Sequence, residues 1–166
     1  MTGPRVLTFN FHEPYLWLMA KTGYAFTVGQ YRDPPLAREW HTKYRPLPKN
    51  MTLAEQHVWE ADLRAGRFDV VIAHNESNAA SVFACDTPKL LVCHNRLTFL
   101  RTTITEDHGD PETLLRGLLD RLRQRFSFIF ISESKRADYG VDGDVIRPGI
   151  DIDDFGGYTG EIAQVL

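Results

Sequence analysis

Three short polar clusters in this 166-residue chain pair a histidine with other hydrogen-bonding groups: His12-Glu13, His74-Asn75-Glu76 and His94-Asn95-Arg96. A fourth, Ser132-Glu133-Ser134, has the same setting without a histidine, and each of the four follows an apolar run. Imidazole, carboxylate, carboxamide and hydroxyl groups gathered in one place can hydrogen-bond a polyhydroxylated ligand or move a proton near neutral pH. His12, His74 and His94 with Glu13 or Glu76 also offer nitrogen and oxygen donors to a metal, but no HExxH spacing joins them, and no metal is expected. A serine nucleophile would sit in a GxSxG elbow, and the chain has none; neither Cys85 nor Cys93 follows a strand in a way that exposes a thiolate. GxxxxGK(S/T) is absent, as is GxGxxG after the first apolar run, so standard binding of a triphosphate or dinucleotide is not expected.

The clusters acquire meaning from the elements around them. Residues 5–11 read as a buried strand, 14–21 as a short helix with Pro14 near its start, and 25–30 as a second strand. Four prolines and many charges between 31 and 50 resist regular structure and form an unusually long connection. Thr52-Leu-Ala-Glu55 matches a capping box, and Ala54, Val58, Ala61 and Ala65 follow at helical spacing until Gly66. Unbroken apolar runs at 68–73, 89–93 and 126–131 suggest strands covered on both faces, as in a parallel sheet. Between them, 78–84 reads as a helix. Asp110 and Pro111 start a stronger one whose stripe is Leu115, Leu118, Leu119 and Leu122, with Arg121, Arg123 and Arg125 at its C-terminal end. A helix over 133–139 and a strand over 144–147 complete the alternation. The fold class is therefore α/β, a Rossmann-like three-layer domain with a mainly parallel sheet. In such a sheet every strand ends on one edge, where open α/β folds bind ligands, so all four polar clusters load one rim. Polar residues also terminate strands and cap helices by default, and His41, His57 and His108 fall outside these positions, as surface residues.

Bulk properties bound the partners. With 43% hydrophobic and 25% charged residues and a net charge of -3, the chain has the balance of one globular domain and no basic excess for nucleic acid. Two free cysteines in apolar segments fit a reducing, cytoplasmic setting. No N-terminal leader pattern and no apolar stretch near 18 residues can be read from it.

The stretch from Asp69, Asp-Val-Val-Ile-Ala-His-Asn-Glu-Ser-Asn-Ala-Ala-Ser, resembles the "DVIHxHxxxxA" strand and helix of family 4 glycosyltransferases, retaining enzymes of GT-B fold. Pro88-Lys-Leu-Leu-Val-Cys-His94 resembles that family's "PxVxTxH" strand. Phe130-Ile-Ser-Glu-Ser-Lys resembles its "xVSE" element, and Asp144-Val-Ile-Arg-Pro-Gly-Ile-Asp-Ile-Asp-Asp-Phe155 its "VIPNGIDxxxF" signature, the most specific of the four. The likeness covers 68–155 well and 2–67 loosely. Where the family carries a glycine-rich loop after the first strand, this chain has Asn10-Phe-His-Glu-Pro-Tyr15.

The resemblance implies the N-terminal half of a GT-B fold: residues 1–155 as the acceptor-side domain, and 156–166 as linker and truncated start of a C-terminal nucleotide-sugar domain that the chain lacks. It implies transfer of a sugar, with retention, from a nucleotide-sugar donor as co-substrate to a glycan or lipid-linked acceptor, in polysaccharide biosynthesis or a related route, without a metal. His94 corresponds to the family histidine that faces the donor sugar, and His12, Glu13, His74, Asn75, Asn95, Ser132 and Glu133 become substrate-binding candidates around it. The isolated half is expected to be inactive, since transition-state binding needs both walls of the cleft. Work at the inner face of a membrane is in keeping with such acceptors, and Tyr15, Trp17 and Tyr24 read as an aromatic cluster suited to peripheral contact. Two other functions compete: a flavodoxin-like module binding a small ligand or a protein without catalysis, and hydrolysis using a pair such as Glu13 with His94.

Overall fold

The computed structural model describes residues 3–32, 40–43, 45–103 and 110–150. Among these residues seven strands form one sheet in the order β3-β2-β1-β4-β5-β6-β7: β1 (Arg5–Phe9), β2 (Ala25–Gly29), β3 (Met51–Ala54), β4 (Val70–Ala73), β5 (Lys89–Cys93), β6 (Ser127–Phe130) and β7 (Asp144–Val145). Every pairing is parallel. The helices among the described residues are α1 (Glu13–Ala20), α2 (Gln56–Arg64), α3 (Glu76–Val82), α4 (Leu97–Thr103), α5 (Pro111–Leu122) and α6 (Glu133–Tyr139). The result is the expected Rossmann-like α/β sandwich of three layers.

Register explains why the strands are apolar throughout. Val6 pairs with Phe26 and Val70, and these three point to the face that Leu16 and Ala20 of α1 cover. Leu7 pairs with Val71, and both point to the other face, under Trp59 and Leu63 of α2, Ala79 and Val82 of α3, and Leu115, Leu119 and Leu122 of α5. A strand buried on both faces has no polar side to show.

The chain runs outward from β1 through β2 to β3, then crosses back to start β4 on the other side of β1. The loops after β1 and β4 consequently leave for opposite faces, α1 on one and α3 on the other. This is the switch point at which doubly wound sheets open a crevice.

Two sequence expectations fail here. The capping box does not form: Thr52 and Ala54 belong to β3, and α2 begins after Glu55, which makes no side-chain cap. Four register pairs with β2 satisfy that backbone, and the ladder outweighs a local cap of about 1 kcal/mol. The helix also turns a different stripe inward, Trp59 and Leu63, leaving Val58 exposed, because the larger i,i+4 pair buries more apolar area. Gly66 does end this turn, at φ +67°, where a side chain would be strained. The aromatic cluster is the second failure. Tyr15 turns toward His74 and His94, Trp17 lies under the Arg45 guanidinium at 5.7 Å, and Tyr24 is exposed beside Gly3. Each of the three has a different neighbour.

Smaller differences concern ends. The strands expected at 5–11, 126–131 and 144–147 are shorter, the helix expected at 78–84 begins at Glu76, and α4 has no counterpart in the sequence reading. Asp138 of α6 accepts from the Leu97 and Thr98 N–H groups at 2.6 and 3.4 Å, and so caps α4 from another element. Asp110, Pro111 and the leucine stripe of α5 stand as expected, with Leu118 only partly buried. His108, the Asp151 to Phe155 part of the signature and the proposed linker at 156–166 lie outside the described residues.

Gly143 admits β7 to the sheet. A Cβ there would meet the Phe128 carbonyl oxygen at 2.6 Å and the Phe130 ring at 2.8 Å. Gly143→Ala should displace this edge strand and lower the urea midpoint by the equivalent of about 1–3 kcal/mol, the usual range for overpacking. An unchanged midpoint would show that the edge can shift without cost.

Candidate functional site

Thr8, His74 and His94 lie on the same face of three neighbouring strands, the face that carries α1. Thr8 is two residues beyond Val6, whose partner is Val70, and His74 is four beyond Val70. His94 follows Cys93, three beyond Leu91, while His74 follows Ala73, the partner of Leu91. Each step from β1 to β4 to β5 is thus one diagonal toward the C-terminal edge. Sheet twist closes these diagonals into hydrogen bonds: Thr8 Oγ1 to His74 Nε2 at 2.8 Å, and His74 Nδ1 to His94 Nε2 at 3.1 Å.

The inner two members are sealed, with Thr8 0% and His74 3% exposed. Asn78 completes the seal: its Oδ1 accepts from the His74 N–H at 3.2 Å, and its Nδ2 donates to the Tyr31 hydroxyl at 3.1 Å. His94 is the outer member, half-buried. Phe11 stacks on its ring at 4.9 Å between centroids, and Tyr15 meets it edge-on at 4.7 Å. Among the described residues His94 Nδ1 has no partner, and no buried side-chain nitrogen or oxygen is left unpaired. That nitrogen therefore reaches the surface at the C-terminal edge of the sheet.

Both imidazoles are neutral at physiological pH. Burial, and then the neighbouring His94, push His74 down to about 3. Burial lowers His94 to about 4, aided by electrostatic repulsion from the neighbouring His12 and Lys135. Burial raises the Glu76 carboxyl and the Tyr15 phenol above their ordinary values. Cys93 is pushed up to about 12 by burial, against a hydrogen bond with Tyr139 that works the other way, so it is no nucleophile at neutral pH.

The remaining candidates have structural partners. Asn75 caps α3 by accepting from Asn78 N–H at 2.8 Å, and Ser132 caps α6 through the Lys135 N–H at 3.3 Å. Glu133 pairs with Arg136 at 2.9 Å. Glu13 accepts from the His41 N–H at 2.8 Å through Oε1 and so anchors the segment after residue 40 to α1. His12 is exposed at the N-cap of α1, and Asn95 and Arg96 are exposed next to His94. The structure thus joins His74 and His94 directly, with His12 beside them, and gives the other clusters to capping.

Sequence reading missed Thr8, Phe11, Tyr15 and Asn78. Thr8 carried a readable signal, being the single hydroxyl inside the otherwise apolar core of β1. Phe11 and Tyr15 depend on the β1–α1 segment lying against the ends of β4 and β5, and Asn78 on α3 starting directly after β4. Among the described residues no group of three or more acidic, histidine or cysteine side chains is arranged for a metal, and no helix is long and apolar enough to cross a membrane. A cavity of about 620 Å³ lined by Trp59, Leu63, Gly66, Val82, Cys85 and Thr87 shares no residue with the histidine cluster.

Fold and site together define a Rossmann-like α/β protein with a neutral imidazole presented at the switch-point edge of its sheet. No family model and no curated protein matches the chain.

Proposed function

We propose that this chain is the acceptor-side domain of a retaining glycosyltransferase that takes its sugar from a nucleotide-sugar donor. The observation that carries the reading is His94 Nδ1, a neutral ring nitrogen without a partner among the described residues, at the switch-point edge of the sheet. Glycosyl transfer builds positive charge on the anomeric carbon. A neutral imidazole can hydrogen-bond sugar hydroxyls there without adding a repelling charge, and its partners and flanking rings hold it in place beforehand. The nucleotide belongs to a second α/β unit across the cleft, since the loop Asn10 to Tyr15 has no paired glycines to approach a diphosphate. The acceptor is a glycan or a lipid-linked glycan taken at the cytoplasmic face, and the chemistry uses no metal.

The test is nucleotide-sugar turnover by the full-length enzyme and its His94→Ala variant, with circular dichroism confirming that the variant folds. Transfer should fall about 100-fold, the typical loss when one preorganised hydrogen-bonding group is removed. Full activity in the variant would remove His94 from the reaction. A wild-type protein that binds sugars without turning over any nucleotide-sugar would instead be a binding module.

A further inference from the structure

Hydrogen positions in the histidine chain follow from counting donors. The Thr8 hydroxyl has one partner, His74 Nε2, and no water reaches it. If Nε2 carried the proton and donated to Thr8, the hydroxyl hydrogen would be buried with no acceptor among the described residues. If Thr8 donates instead, Nε2 accepts and the His74 proton sits on Nδ1. It then points at His94 Nε2, 3.1 Å away, which must accept. The proton of neutral His94 is left on Nδ1, at the edge of the sheet. An unpaired buried donor disfavours the opposite arrangement by roughly tenfold or more in population.

We infer that Thr8 and His74 are positioning residues that lock His94 in the Nδ1–H tautomer, making the nitrogen at the sheet edge a hydrogen-bond donor. The site therefore selects ligands that offer an oxygen lone pair there, such as a sugar hydroxyl or a phosphate oxygen, and rejects groups that present only N–H. The lock is a property of the folded chain, and only its use in sugar transfer rests on the function proposed above. Phe11 and Tyr15 hold the ring from the side and from the edge, and a 180° flip about Cβ–Cγ would put carbon Cε1 in the place of Nε2 and break the bond to His74.

Long-range proton–nitrogen NMR correlation on the nitrogen-15-labelled full chain, at pH 7.5 and without ligand, reads the tautomers directly. In wild type, both His74 and His94 should carry hydrogen on Nδ1 and none on Nε2. Thr8→Val keeps the shape of the side chain and deletes the donor, so neither arrangement satisfies Nε2 and both rings should populate the two tautomers. Thr8→Ser should restore the wild-type pattern, which a purely packing role for Thr8 would not require. An Nε2–H signal from His94 in wild type, or tautomers unmoved by Thr8→Val, would overturn the inference. Absence of sugar transfer with the tautomers as expected would leave the lock standing and overturn only the function.

Discussion

Trp59→Ala should lower the free energy of unfolding by about 3–5 kcal/mol, the range for removing a large aromatic side chain from a core. Trp59 is fully buried on α2, edge-on to Phe9 of β1 at 5.4 Å and to Tyr31 at 5.9 Å, and its indole N–H donates to the Gln30 carbonyl at 3.1 Å. One side chain thus ties α2 to the C-terminal ends of β1 and β2. Neighbouring backbones are fixed by their ladders, so the hole would collapse only in part. Domains of this size hold about 5–15 kcal/mol in all, and the variant would sit near the limit of folding. Urea denaturation followed by circular dichroism measures the change. Trp59→Phe, which keeps most of the ring and loses the hydrogen bond, should cost less than half as much. A loss below about 1 kcal/mol for the alanine variant would mean that Trp59 is not the joint described here.

The buried histidines should make the protein acid-labile before most carboxylates titrate. Their folded pKa values, about 3 for His74 and about 4 for His94, lie below the ordinary 6.5 that the unfolded chain recovers. Between those values the unfolded state binds more protons, so stability is fully present above pH 6.5 and is lost as pH falls. From pH 7 to pH 5, His74 alone should remove about 2 kcal/mol, and half-exposed His94 a smaller amount. The raised carboxyl of Glu76 works in the opposite sense, losing stability as pH rises, and offsets part of the slope. The measurement is the urea midpoint at half-unit steps from pH 7.5 to 5. His74→Gln should be less stable at pH 7.5 and show a flatter slope below 6.5. Equal slopes in the two proteins would mean that His74 is not held neutral by the fold.

Much of this architecture was legible in the chain itself. Runs such as Lys89–Cys93 have no polar alternation because both faces are covered, and that alone pointed to a parallel sheet. Asp110, Pro111 and the leucines of α5 carry a complete local start signal and stripe, so that helix needed no tertiary information. Polar residues after each strand collect at one edge, because strand ends in a parallel sheet share one side whatever their order.

Strand order is what the chain could not announce. Thr52 and Ala54 had good local reasons to join a helix and were taken by β3, because pairing with β2 lies outside any local window. The same holds for the site. Thr8, His74 and His94 are far apart in sequence, and they meet only because β4 returns to the other side of β1 and places β5 beside it. The side-chain types were set by the sequence, while burial and register decided which of them became caps, which became supports, and which one was left with an open nitrogen. Hydrogen bonds between side chains depend on register across strands, and register is a property of the whole sheet.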